Sequence, residues 1–240
     1  MKKEIEFIHF GETCNPIIII NFILKLNKKT LFQLGVYPFN TIVKILEDST
    51  FENITDIDYI RYNNNKLNYL EDDKIDNYMH NSHITNIKYD GLTLVHDFGV
   101  EENTIINYNF IKKMHNIKIQ NFYNSINSKK VICFICFISM SNFLDLEYEK
   151  LIIILKQQYY IEDFIIIIFT NDKLPSSLNL PKEYEFVTID CDYRGDVHMS
   201  YENRCNAYKE IWEKFRIVMT KYNYNYLSFE DVFDGKFDGV

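Results

Sequence analysis

Cys14 is the residue best placed to do chemistry, because of what surrounds it. The run Gly11-Glu12-Thr13-Cys14-Asn15-Pro16 follows a β-prone segment, Glu4 to Phe10. Gly11 permits a tight turn. Asn15 is a good N-cap and Pro16 a good first helical residue, and Ile17 to Leu26 reads as a largely buried helix. Cys14 is therefore expected at a helix mouth. There the dipole and the unpaired N–H groups favour the thiolate, which is the nucleophilic form. The same N–H groups can form part of an oxyanion hole. The plain alternative for any free cysteine is a small buried hydrophobe.

His96 is the natural base. It ends an apolar stretch, Leu92 to His96, and precedes the turn-like Asp97-Phe98-Gly99. A Cys–His pair needs the imidazole within hydrogen-bond reach of the sulfur, and a third group to orient the ring. Asp97 is adjacent in sequence. A continuing strand would point it to the opposite face, so it serves only if the strand breaks between the two. Asn40, Asp190 and Asp192 are alternatives from elsewhere in the fold. His9, His80, His83, His115 and His198 each read as structural or solvated.

These residues need a frame. Glu4 to Phe10 reads as a first strand, and Val131 to Ser139 and Phe164 to Thr170 as strands buried on both faces. Tyr184 to Asp190 is a further strand. Thr41 to Glu47, Leu144 to Tyr159 and Tyr201 to Tyr222 read as helices. Glu101 to Ser128 fits a long helix or a broken pair. Leu31 to Asn40 is a connection, and the polar stretch from about 48 to 89 has no sustained period and reads as an irregular insertion. This order predicts an α/β protein, 1–240 as one domain, three-layer α/β/α with a mostly parallel central sheet. In such sheets ligands bind at the carboxyl ends of the strands. Cys14, His96, Thr170-Asn171-Asp172 and Asp190-Cys191-Asp192 all follow predicted strands and are expected to share that end.

Other chemistries find little support. The net charge of −8 opposes non-specific contact with nucleic acid or anionic lipid, so neither nucleic acid nor membrane is an expected partner. Pro16 to Leu26 is too short to span a bilayer and no signal peptide is visible. Five irregularly spaced cysteines do not form a disulfide framework, which points to a reducing, cytoplasmic setting. Ala207 is the single alanine, and the Ile/Asn/Lys/Tyr bias fits an AT-rich genome such as that of some large DNA viruses and protists. Cys133 and Cys136 lie three apart in a strand and so face opposite sides, which excludes a shared metal. Cys191, His198 and Cys205 match no common zinc spacing, and no phosphate-binding glycine loop is present. No cofactor or metal is expected.

The order strand, Gly11-Glu12-Thr13-Cys14, helix, Tyr37-Pro38-Phe39-Asn40, then Leu94-Val95-His96-Asp97-Phe98 resembles the DUF1796 family, described as papain-like cysteine peptidases. The likeness covers roughly residues 4 to 215. It implies Cys14 as nucleophile and His96 as base, and a papain-like α+β fold as the alternative architecture. The family's Pro-Phe-Asp-Trp motif falls on Pro38-Phe39-Asn40-Thr41, so an amide stands where the family has an acid. An amide can still orient a histidine. The expectation is a thiol hydrolase or acyltransferase acting on a peptide, ester or glycan-linked substrate. The alternative is a catalytically inactive interaction domain on the same scaffold, such as a viral protein that binds a host factor. Oligomeric state is not specified by the sequence.

Overall fold

The segments 131–137 and 164–170 contain no charged residue, and every one of their residues is buried. A strand without a solvated face must be covered on both sides and paired on both edges. The computed structural model shows how this is met. It describes residues 4–11, 30–32, 35–77, 79, 83–95, 97–138, 146–173, 179–190 and 201–222, with only the backbone of 11 and 201–205. The predicted helix at 17–26 lies outside the described residues.

In chain order the elements begin β1 (Ile5–Gly11), β2 (Gly35–Val36), α1 (Phe39–Asp48), β3 (Ile60–Tyr62), β4 (Asn65–Lys66), β5 (Asn68–Tyr69), β6 (Ile84–Asn86) and β7 (Thr93–Leu94). They continue with β8 (Val100–Glu101), β9 (Thr104–Ile105), α2 (Tyr108–Ile126), β10 (Val131–Phe137), α3 (Tyr148–Gln157), β11 (Phe164–Thr170), β12 (Tyr184–Thr188) and α4 (Tyr201–Lys221). The protein is thus mixed α/β. Its main sheet has the order β1-β10-β11-β12 with all three pairings parallel.

Side chains alternate across this sheet with the period of two that a strand imposes. Ile132, Phe134 and Cys136 join one apolar cluster with Ile8, Phe10, Ile166 and Ile168, together with residues of α1, α2 and α3. Val131, Cys133, Ile135 and Phe137 join a second cluster with Ile211, Trp212 and Phe215 of α4. Cys133 and Cys136 therefore face opposite sides, as their spacing requires. Full burial of each such apolar side chain contributes roughly 1.5–3 kcal/mol.

The middle of the chain forms two smaller sheets. One has the order β2-β7-β6-β3-β4 with antiparallel pairings, and the other is β5-β9-β8. The 48–89 stretch is built of a 3-10 turn, Phe51–Ile54, and short strands, and its Ile54, Ile60, Leu67, Ile84 and Tyr89 enter the first apolar cluster. It therefore supplies core. The acidic start of the predicted 101–128 helix is instead a hairpin, and one helix, α2, begins only at Tyr108.

The amino end of α2 is capped from a distance. The Asn109 and Phe110 N–H groups donate to the two carboxylate oxygens of Asp73, at 3.1 and 2.7 Å. Asn109 Nδ2 also donates to Glu71 O at 2.7 Å. A carboxylate there satisfies orphan amides and meets the positive end of the helix dipole. Asp73→Ala is expected to lower stability by about 1 kcal/mol in denaturant unfolding, with Asp73→Asn retaining part of that. An unchanged midpoint would remove Asp73 from the cap.

Candidate functional site

β7 ends at Leu94, two residues before His96. Asp97 therefore lies beyond the described strand. His96 and Cys14 themselves lie outside the described residues, as does Asp192. Asp97 is described, and its surroundings are unusually ordered for a polar loop. Asn107, fully buried, accepts from the Gly99 N–H at 2.9 Å and donates Nδ2 to Asp97 O at 2.9 Å and to Asn77 O at 2.8 Å. Ile106 N donates back to Gly99 O at 3.0 Å. Gly99 has no room for a side chain: a Cβ there would meet Ile106 Cγ1 at 2.9 Å and Met79 Cγ at 3.0 Å.

The Asp97 side chain is 4% exposed and faces Lys118 of α2, which is 5% exposed. Lys118 Nζ stands 3.8 Å from Asp97 Oδ1, too far for a hydrogen bond, and Oδ1 accepts none from the described residues. Burial pushes the Asp97 carboxyl up, and the Lys118 ammonium opposes that rise. One turn earlier on α2, His115 is buried with Nε2 2.8 Å from Phe51 O. A carbonyl only accepts, so Nε2 carries the proton. Burial first, then the Lys118 charge, lower His115 to about 4, against the pull of the Phe51 carbonyl. His115 is a neutral strut between α2 and the 3-10 turn.

Two contacts relate this region to the end of β1. The carboxyl end of α2 is tied to the amino end of β1, where Ser125 Oγ donates to Glu6 Oε1 at 3.0 Å. Lys118 lies two turns earlier, about 10 Å up the helix. Phe32 packs edge-on against Phe10, near the carboxyl end of β1, with ring centroids 5.1 Å apart, and also against Phe122 of α2 at 6.2 Å. Phe32 precedes β2, and β2 pairs antiparallel with β7, Gly35 opposite Leu94. The chain before β2 and the chain after β7 therefore leave the pair at the same end.

Asn40 leaves that pair at the other end. Continuing from Val36, the chain passes Pro38, which abuts Gly91, and Thr41, whose hydroxyl donates to Asp90 O. Asn40 Oδ1 accepts the Glu147 N–H at 3.0 Å, at the start of α3. Asn40 therefore has a structural duty between α1 and α3.

At the carboxyl end of the main sheet, Thr170 is fully buried and Asn171 Nδ2 donates to Ile189 O at 2.9 Å. Asp190 is engaged from α4: its N–H donates to Glu210 Oε1 at 2.7 Å, and its carboxylate lies 3.5 Å from Lys214 Nζ. The 170–172 and 190 segments therefore do share one end of the sheet. His96 follows a strand of the second sheet, so strand order alone does not bring it there. Among the described residues, no three His, Cys, Asp or Glu side chains are grouped to hold a metal, and no helix is long and apolar enough to cross a membrane.

Sequence reasoning missed Asn107 and Lys118. A signal for Lys118 was present: Ile111, His115, Lys118, Ile119 and Phe122 form the buried stripe of α2. That places Lys118 on a core position by helical spacing. Asn107 gave none, because its side chain serves the 97–99 loop and not the helix it precedes.

His115 makes stability pH-dependent with a definite sign. Its folded value, about 4, lies below the ordinary 6.5, so between them the unfolded chain binds the proton and the folded one does not. Stability from this group is complete above 6.5 and lost as pH falls towards 4, by about 3 kcal/mol in all. Asp97 acts oppositely: its raised value means its contribution is present below 3.8 and lost as pH rises through the folded value. His115→Gln is expected to flatten the 4–6.5 limb of unfolding free energy against pH. A limb identical to wild type would exclude His115 as its source.

No family model, no curated protein and no solved structure matches the chain, so the papain-like resemblance rests on its own short motifs.

Proposed function

We propose that the protein is a thiol-dependent hydrolase or acyltransferase with Cys14 as nucleophile and His96 as base. The observation that carries this reading is the position of the Gly11-Glu12-Thr13-Cys14 run, which begins on the last residue of β1, at the carboxyl end of a parallel sheet. That is the end at which such sheets bind ligands. The Phe10–Phe32 contact and the shared exit of β2 and β7 support nearness of the 95–97 segment to that same end. The scaffold is read as three-layer α/β/α, with α4 on one face and α1, α2 and α3 on the other, in a single domain working in the cytoplasm.

In this mechanism the Cys14 thiolate attacks a carbonyl carbon and forms a C–S bond. Backbone N–H groups at Cys14 and Asn15 stabilise the oxyanion. As the tetrahedral adduct collapses, its C–N or C–O bond breaks, the His96 imidazolium protonates the departing amine or alkoxide, and the thioester acyl-enzyme remains. His96 then takes a proton from water or another acceptor, which displaces the sulfur. The substrate class is a peptide, ester or glycan-linked acyl group.

A second reading is an interaction domain without catalysis. It is favoured by Asn40, which stands at the family's acid position and already accepts from Glu147 N–H. Iodoacetamide labelling with peptide mapping separates the two. An activated Cys14 should alkylate at pH 6 within about threefold of its rate at pH 9, whereas an ordinary thiol loses reactivity below a midpoint of about 8.5. Cys133, whose thiol burial pushes well up, is the silent internal control. A Cys14 profile with the ordinary midpoint would end the catalytic reading.

A further inference from the structure

Three buried side chains that line one cavity keep hydrogen-bonding capacity unused. The cavity measures about 360 Å³ and is lined by the 3-10 turn and the residues after it, by Tyr69 of β5 and by α2. Sites for small ligands run from roughly 300 to 1,000 Å³. Thr55, Tyr108 and His115 of this lining are each 4% exposed. The Thr55 hydroxyl makes no hydrogen bond among the described residues. The Tyr108 hydroxyl accepts the Ile57 N–H at 3.1 Å, and its own proton has no acceptor among the described residues. His115 donates Nε2–H to Phe51 O, which leaves Nδ1 as an acceptor with no donor among the described residues. Neither Thr55 Oγ1 nor His115 Nδ1 is sealed from solvent. Buried polar groups are paired as a rule, as those of Asn86 and Asn107 are, so an unpaired set around one cavity points to a ligand that pairs it.

The rest of the lining selects the ligand. Glu52 and Asp56 repel an anion. An organic cation needs an aromatic face, and Lys112 Nζ already stands 5.6 Å over the Tyr108 ring. The Tyr69 and Tyr108 rings meet at 4.6 Å with planes 37° apart, so they form one wall rather than a slot for a flat base. Tyr69 is 46% exposed, which leaves ring surface for a ligand. Tyr108 offers a donor, His115 an acceptor, and Thr55 and the Asn116 amide both, which suits hydroxyl groups that themselves donate and accept. A pyranose combines hydroxyls around its edge with a C–H face that packs on an aromatic ring.

We propose that this cavity binds one neutral pyranose, its C–H face on Tyr69 and its hydroxyls on Thr55, Tyr108, His115 and Asn116. Such a site does not depend on the thiol centre. The test is titration of the full chain with the methyl pyranosides of glucose, galactose, mannose and N-acetylglucosamine, followed by amide NMR shifts. At least one should give saturable shifts at residues 52–57, 69, 108 and 116, with a Kd of about 1 mM or tighter. Tyr69→Ala should weaken that sugar by about tenfold through loss of the wall. Thr55→Val keeps the side-chain shape and breaks no bond of the fold, so it should fold normally and weaken binding about fivefold. Tyr160→Ala, at an exposed tyrosine outside the cavity, should bind as wild type. Equal affinity for a disaccharide ending in the same sugar assigns a glycan terminus, and weaker affinity a free sugar. No saturable shift from any of the pyranosides overturns the proposal, as do shifts that Tyr69→Ala and Thr55→Val leave unchanged. Saturable binding of adenosine or phenethylamine in place of the pyranosides overturns it equally, by making the cavity a base or cation site.

Discussion

The parallel pairing of β10 with β11 governs the rest of the molecule. Six register pairs run from Ile132 opposite Phe164 to Phe137 opposite Phe169, and neither strand has a solvated face. Residues of α4 enter the apolar cluster that holds Val131, Cys133, Ile135 and Phe137, and residues of α1, α2 and α3 enter the one that holds Ile132, Phe134 and Cys136. Both edges must be paired, which brings in β1 and β12. All four strands then point one way. Their carboxyl ends form a single border from which the chain segments beginning at Gly11, Ile138, Asn171 and Ile189 depart.

Against that apolar frame the polar interior stands out as deliberate. Asn86 is buried with both ends of its amide satisfied: Nδ2 donates to the carbonyls of Asn53 and Ile54, and Oδ1 accepts from the Lys88 and Tyr89 N–H groups. Asn107 does the same for residues 77, 97 and 99. A satisfied buried amide fixes a loop at little cost, whereas a half-satisfied one is expensive.

The sequence revealed long elements well and short ones poorly, for a physical reason. The apolar runs 131–137 and 164–170 cannot be anything but buried strands, and α4 shows its stripe over 21 residues. The strands of the two smaller sheets are two or three residues long, too short to display a period. Their turns carried weak signals. Asn63-Asn64 and Glu102-Asn103 both take positive φ, at 49° and 64° and at 46° and 62°, as type I′ hairpins require. The first pair is a common choice for that turn. The second begins with Glu, and it made a hairpin look like the acidic start of a helix. In the candidate site, Asp97 was legible as an orienting acid only on condition that the strand broke between it and His96, and the described β7 ends at Leu94, before both. The rival Asn40 was legible only as a motif position, because its bond to Glu147 spans 107 residues and leaves no local trace.

The account therefore turns on whether the segment leaving β1 and the segment leaving β7 bring their two chemical residues together. The direct measurement is bridging of Cys14 to a cysteine substituted at position 96 by dibromobimane, which spans only a few ångströms, in the native protein at neutral pH. The account predicts a fluorescent intramolecular bridge mapped to residues 14 and 96, formed in preference to any involving Cys133 or Cys136. Labelling of both thiols without a bridge between them would contradict it.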